Sequence, residues 1–303
     1  MRRTSLPLSV LVAVFVCLIC ATPGHAQATR TWVSGVGDDA NPCSRTAPCK
    51  TFAGAMPKTA TGGVINCLDP GGFGGVTITK AITIDCHQTI GSVLVGGTNG
   101  ITINAPGAIV NLRGVDVQGV GTGLIGISIL AAATVNLEDI VVNQFTQQGI
   151  SDTRPSATAA TELSVRNSTI ENNTGAGIYL AGGLNVASIE NVYSGNNGYG
   201  VQAETNNYVL VSRSVVFGNT TAGIQADTGA SVFVNNTESM HNSTGVVAAG
   251  TGSVSLANSD ILVNNPSGIS GATTSYGNNR VQYNASPGTT PTLGTITNDH
   301  SQE

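Results

Sequence analysis

Residues 200–226, GVQAETNNYVLVSRSVVFGNTTAGIQA, state one phrase twice: Gly200-Val201-Gln202-Ala203 and then Gly223-Ile224-Gln225-Ala226. Working outward, Gly followed by Ile or Val also occurs at Gly126, Gly149, Gly177, Gly245 and Gly268, so the full series is spaced 23, 28, 23, 23, 22 and 23. A second, apolar anchor lies upstream in each unit, at Val135, Leu163, Val186, Val209, Val232 and Val254. It keeps a constant distance ahead of its Gly, except that Val232 stands one place closer to Gly245. A period of 20–50 residues is the signature of a solenoid or array.

Inside each unit the period is two. Ile150, Ile178, Val201, Ile224, Val246 and Ile269 alternate with Ser151, Tyr179, Gln202, Gln225, Val247 and Ser270, the pattern of a strand with one buried face. Leu137, Val165, Val211, Val234 and Leu256 follow the upstream anchor in the same way, with Ser188 the exception. Between the strands lies Asn-rich text: Asn172-Asn173, Asn196-Asn197, Asn219, Asn242 and Asn264-Asn265. Asn and Gly tolerate the left-handed backbone of sharp turns, and Asn side chains stacked at one position can bond along an array. Short strands and tight turns repeating at this period wind into a parallel β-helix, right-handed because strand-to-parallel-strand connections are. Irregular coils extend it upstream through Val76-x-Ile78, Ile82-x-Ile84, Val93-x-Val95, Ile101-x-Ile103 and Val110-x-Leu112. The expected fold is all-β, with about nine or ten coils forming a rod of roughly 45 Å. A leucine-rich frame, calcium-binding Gly-rich nonapeptides and blade-length repeats are all missing from this text, which argues against the competing arrays.

Composition agrees. The 303 residues include 39 Gly and 27 Asn, but only 10% are charged, against ~25% in ordinary soluble domains. Helical surfaces need more charge than that. Net charge is −5 with no Lys/Arg cluster after Arg3, which speaks against a nucleic-acid partner.

Met1-Arg2-Arg3, the apolar run Leu6 to Ala21 and Gly24-His25-Ala26 read as a secretory signal peptide over residues 1–26. The apolar run, ~16 residues, is short of the ~20 that span a bilayer, and no later segment is apolar enough to do so. Cleavage leaves Cys43, Cys49, Cys67 and Cys86. An even count in an exported chain suggests disulfides, with three possible connectivities. The nearest neighbours, Cys43–Cys49 and Cys67–Cys86, are preferred over a metal site, whose usual spacings are not met. The expected organisation is an entry segment and cap over 27–63, the β-helix over 64–284 and a tail over 285–303. Lys50 to Ala60 can form a short helix capping the N-terminal end, since an open stack exposes strand edges. The tail from Pro287 reads as poorly ordered or as an irregular cap.

Trp32-Val33-Ser34-x-x-Gly37-x-Asp39-x-Asn41-Pro42, then Pro48-Cys49-Lys50-Thr51-Phe52 and Gly62-Gly63-Val64-Ile65, resembles the entry segment of secreted bacterial right-handed β-helix proteins of the pectin-lyase-like superfamily. The resemblance covers essentially the whole mature chain. It implies a fold rather than an activity, because that superfamily includes lyases, hydrolases, esterases, epimerases and adhesins. The signatures of its pectate lyases, polygalacturonases and pectin methylesterases are not found here.

The register nominates side-chain clusters. Arg113, Glu138 and Arg166 fall three places after their anchors and should stack as a charge ladder; Glu190 and Arg213, one place later, should stack likewise. Glu204 and Asp227 each lie four places after their Gly. On neighbouring coils their carboxylates could approach to ~5 Å, the separation of a retaining glycosidase pair. Glu238 and Asp260 form a third possible stack. Tyr208, Leu210 and Phe233 should project outward near the acid pair as a sugar platform. His87, His241 and His300 read as turn residues without an acid partner in register, and Trp32 as a packing residue. The preferred role is a secreted or periplasmic, non-catalytic β-helix that binds an extracellular polysaccharide or associates with a cell surface or matrix. The alternative is a polysaccharide lyase or glycoside hydrolase with Glu204 and Asp227 as acid and nucleophile. No cofactor is expected; calcium is conceivable but no motif supports it.

Overall fold

The structure is a computed structural model in which residues 27–155 and 160–294 are described. The expected signal peptide and His300 lie outside these residues. The described chain is a right-handed parallel β-solenoid of about nine turns, and each turn has three faces.

The first face is a nine-stranded parallel sheet from Val76–Ile78 to Ser267–Gly271. In it Ile127, Ile150, Ile178, Val201, Ile224, Val246 and Ile269 pair one above the next. The column runs further upstream than the repeat suggested, through Ile101 to Val76. The second face runs from Ala28–Val33 and Thr59–Cys67 through Ile82–Asp85 to Thr273–Ser275, and the third from Gly71–Gly72 through Gly91–Leu94 to Arg280–Gln282. Strands Thr161–Glu171 and Asn185–Gly195 run through both. The inward columns of Val, Ile and Leu form one continuous core along the axis.

The recurrent Gly has a steric cause. A Cβ placed on Gly75, Gly100, Gly126, Gly149, Gly177, Gly200, Gly223 or Gly245 would lie 2.5–2.9 Å from the carbonyl oxygen of the corresponding Gly one coil on. Real side chains do not sit that close, so the stack excludes every other residue there.

One anchor is out of phase with the expected register. Leu163 pairs with Ala187, and Ala187 with Val209, while Val186 is 48% exposed. Because a strand's side-chain period is two, a slip of one residue turns the whole set over. Ala187 and Ile189 therefore point inward, and Val186 and Ser188 outward. This explains Ser188, the exception in the alternation.

Turns are built from left-handed residues. Between the second and third faces Gly114, Asp139, Asn167, Asn191, Arg213, Asn236, Asn258 and Asn278 all have φ between 49° and 63°. Beyond the third face a buried Asn ladder ties the coils. Asn173, Asn197, Asn219, Asn242 and Asn264 are at most 2% exposed. Each donates its main-chain N–H to the side-chain oxygen of the next Asn, ending on Asn284, at 2.8–3.0 Å. The side-chain amides from Asn197 to Asn284 also donate to main-chain carbonyls one coil back, so the buried amides of this ladder are satisfied.

The N-terminal cap is shorter than expected: helix Phe52–Ala55, a 3-10 turn Met56–Lys58, then strand Thr59–Cys67. Pro57 within the expected helix restricts its continuation. The entry motif locks this cap. Asp39 accepts from the N–H groups of Lys50 and Thr51 and from the Thr51 hydroxyl, at 2.7–2.9 Å. Burial alone raises the Asp39 carboxyl, but the Thr51 and Lys50 bonds and the nearby Lys58 charge outweigh it and hold the pKa below the usual value. Disulfides join Cys43 to Cys49 and Cys67 to Cys86. At the other end Thr292–Leu293 adds a final pair to the second face, and Gly288 bridges to Ile269. Part of the tail is thus an ordered edge cover.

Candidate functional site

Glu204 and Asp227 occupy the same position on adjacent coils, directly after the paired residues Ala203 and Ala226. The outward column beside them is Tyr179, Gln202 and Gln225. Tyr179 donates its hydroxyl to Glu204 Oε1 at 2.5 Å. Gln202 donates to Asp227 Oδ2 at 2.8 Å and Gln225 to Asp227 Oδ1 at 2.6 Å. Burial, the Glu204 hydrogen bond and the charges of Glu204 and Asp227 all push the Tyr179 phenol up, so it is a proton donor across the neutral range. The alternating polar column was visible in the sequence, but its closure onto these acids was not. That contact depends on side-chain conformation as well as register.

Tyr208, Leu210 and Phe233 do project outward, being 54%, 37% and 39% exposed. They lie on the second face, on strands Asn207–Ser212 and Ser231–Asn235, whereas the acids bond to first-face side chains. The expected single platform is therefore two separate surfaces, divided by the turn at Glu204 to Asn206. A shallow cavity of about 290 Å³ lies over the second-face residues and includes Ser231, Ser253 and Ser255 but neither acid. Val186 pairs directly with Tyr208, and Leu210 with Phe233, so the apolar groups form a diagonal across three coils. Phe233 meets Tyr276 edge-on at 6.4 Å.

The charge ladders form, with one shift. Glu138 lies between Arg113 and Arg166 at 3.4 and 3.9 Å. Glu190 continues that same column, opposite Arg166, because of the one-residue slip at Val186. Arg213 sits at the adjoining corner and still pairs with Glu190. Glu238 stacks on Asp260, which pairs with Arg280.

Two polar groupings were not foreseen. His87 has acid partners after all: Asp139 Oδ2 at 2.8 Å and Asp85 Oδ1 at 3.4 Å. The Asp139 contact joins positions 52 residues apart. Gly114, whose Cβ would lie 2.7 Å from the His87 main-chain nitrogen, sits on the intervening coil. Asp152 and Arg154 form a buried ion pair, 0% and 1% exposed. The Arg154 guanidinium also donates to the carbonyls of Ala132, Ala133 and Glu162 at 3.2–3.3 Å. The sequence signal was a charged residue in an otherwise small or apolar inward column, within the longest unit, from Gly149 to Gly177. Among the described residues no group of three or more His, Cys, Asp or Glu is arranged to hold a metal ion. Asp85 and Asp139 approach different nitrogens of His87 and do not converge.

Known proteins resolve the family. The family described as "Right handed beta helix region" matches residues 99–284. The chain belongs to this family. In architecture this beta-helix protein is similar to the alginate lyase from Paenibacillus sp. str. FPU-7, with a TM-score of 0.59, 14% identity, and 88% and 99% of the two chains covered. It is also similar to the A-module of mannuronan C-5 epimerase AlgE4 from Azotobacter vinelandii, with a TM-score of 0.55, 17% identity and 70% and 65% covered. Pectate lyase Pel9A gives 0.54 and 14%, with 90% and 78% covered. No curated protein matches it in sequence. At these identities the likeness concerns the right-handed β-helix fold alone.

Proposed function

We propose that this chain is an exported, non-catalytic β-helix that binds carbohydrate, as a rod associated with an extracellular polysaccharide, cell surface or matrix. The observation that carries the reading is the second-face depression, where exposed Tyr208, Leu210 and Phe233 lie beside the hydroxyls of Ser231, Ser253 and Ser255. A pyranose has an apolar C–H face and a polar rim. An exposed aromatic flanked by hydroxyls complements both, with a flat body for contact and polar atoms for direction. The coil spacing of ~4.8 Å is close to the length of one sugar ring, so successive coils can meet successive residues of a chain.

Glu204 and Asp227 fit this role better than acid and nucleophile. Both oxygens of Asp227 accept from glutamine amides, and Glu204 accepts from Tyr179. Export is part of the same proposal. It rests on the signal-peptide reading of residues 1–26, on the two disulfides, which persist in oxidising compartments, and on the resemblance of the entry motif to that of secreted β-helix proteins. No helix among the described residues is long and apolar enough to cross a membrane. Incubating the protein with acidic and neutral polysaccharides, with and without calcium, tests the assignment. Retention on a polysaccharide with no new reducing ends or unsaturated products is expected. Product formation abolished by Glu204→Gln would establish a hydrolase or lyase instead.

A further inference from the structure

A second cavity, of about 690 Å³, lies where the N-terminal cap overhangs the start of the first face. Its volume is within the range of small-molecule sites. Met56 of the cap forms one wall. The polar lining comes from Thr77, Thr79, Thr98, Thr102, Asn99 and Lys80. No carboxylate lines it, in a chain whose net charge is −5.

Lys80 supplies the charge. Its ammonium donates to the Thr59 carbonyl, and an ammonium has three donors, so two remain. Among the described residues no carboxylate lies within ion-pair distance of Lys80. Partial burial lowers its pKa, which is the behaviour of a cation losing water without gaining a counter-charge. An arriving anion would supply that counter-charge. The hydroxyls and the amide offer donors and acceptors to a polyhydroxylated frame.

We propose that this cleft binds an anionic sugar, with the carboxylate or phosphate group on Lys80 and the hydroxyls against Thr77, Thr102 and Asn99. This extends the carbohydrate reading but stands on different residues from the second-face platform. Tyr208 and Phe233 lie on a different face, four or more coils further along the rod.

The test is calorimetric titration of the intact mature chain with glucuronate, glucose 6-phosphate and glucose, which share a ring and differ in charge. At least one anion is expected to bind saturably and about tenfold or more tighter than glucose. Binding of only one of the two identifies the anionic group. Lys80→Met should weaken that anion about tenfold or more, and Lys80→Arg should largely restore it. If Lys80→Met does not fold, Thr102→Val takes its place, with a weakening of about fivefold expected. Neither anion binding better than glucose, or unchanged affinity in the folded variant, would overturn the proposal. Tyr208→Ala should leave anion binding intact, so failure of the platform reading and failure of this one are distinguishable.

Discussion

Asn219 donates twice to the same atom: its main-chain N–H and its side-chain amide both reach Asn242 Oδ1, at 2.9 and 2.8 Å. Its own oxygen accepts from the Asn197 N–H, and its amide also reaches the Ser194 carbonyl. Asn219→Ala would strand two buried backbone groups, so a loss of about 3 kcal/mol is expected in chemical denaturation. The exposed Asn191, which bonds Asn167 at a left-handed corner, provides the contrast. Asn191→Gly keeps the backbone conformation and should change stability by no more than about 0.5 kcal/mol.

The Gly column predicts a steric asymmetry. Gly200→Ala brings a methyl to 2.5 Å from the Gly223 carbonyl oxygen and should cost about 2–3 kcal/mol as the coils are forced apart. Gly72→Ala meets nothing nearer than 3.7 Å, and its melting temperature should stay close to that of the parent.

The buried pair makes a non-additive prediction. Arg154→Met leaves Asp152 charged and unpaired in the core, at a cost of about 3–5 kcal/mol. Adding Asp152→Leu, the residue type that Leu180 places at the same position one coil on, should recover most of the loss. A double-mutant cycle by denaturant titration measures the coupling. Simple additivity of the two changes would contradict the assignment.

Acid should loosen the cap first. The Asp39 pKa is depressed in the folded protein from an ordinary value of 3.8, so its stabilising contribution is complete above that value. It is lost as pH falls through the lower, folded value. Hydrogen exchange of the Lys50 and Thr51 amides should therefore accelerate in that window ahead of the central coils. Asp39→Ala should accelerate it already at neutral pH.

How much of this was legible in the sequence follows from what sets each contact. The first-face column is fixed by Gly, for which no other residue substitutes, and the spacing of Gly126 to Gly268 therefore gave the true register. The upstream anchor is apolar, and any apolar residue serves, so Val186 could stand for Ala187 by one position. Contacts that depend on side-chain reach were not accessible. His87 crosses an intervening coil to Asp139, and Arg154 folds back onto Asp152. The separation of Glu204 from Tyr208 was missed for a related reason. Linear proximity across a turn looks like spatial proximity, yet the turn carries the two onto different faces.

The claim on which the functional account depends is that the second-face depression holds a sugar. Titration of a polysaccharide retained by the parent protein into Phe233→Ala measures it most directly. Loss of the ring should weaken binding by at least about 1 kcal/mol, roughly fivefold or more, with the melting temperature little changed because the side chain faces outward. Equal affinity in parent and variant, in a folded protein, would contradict the account.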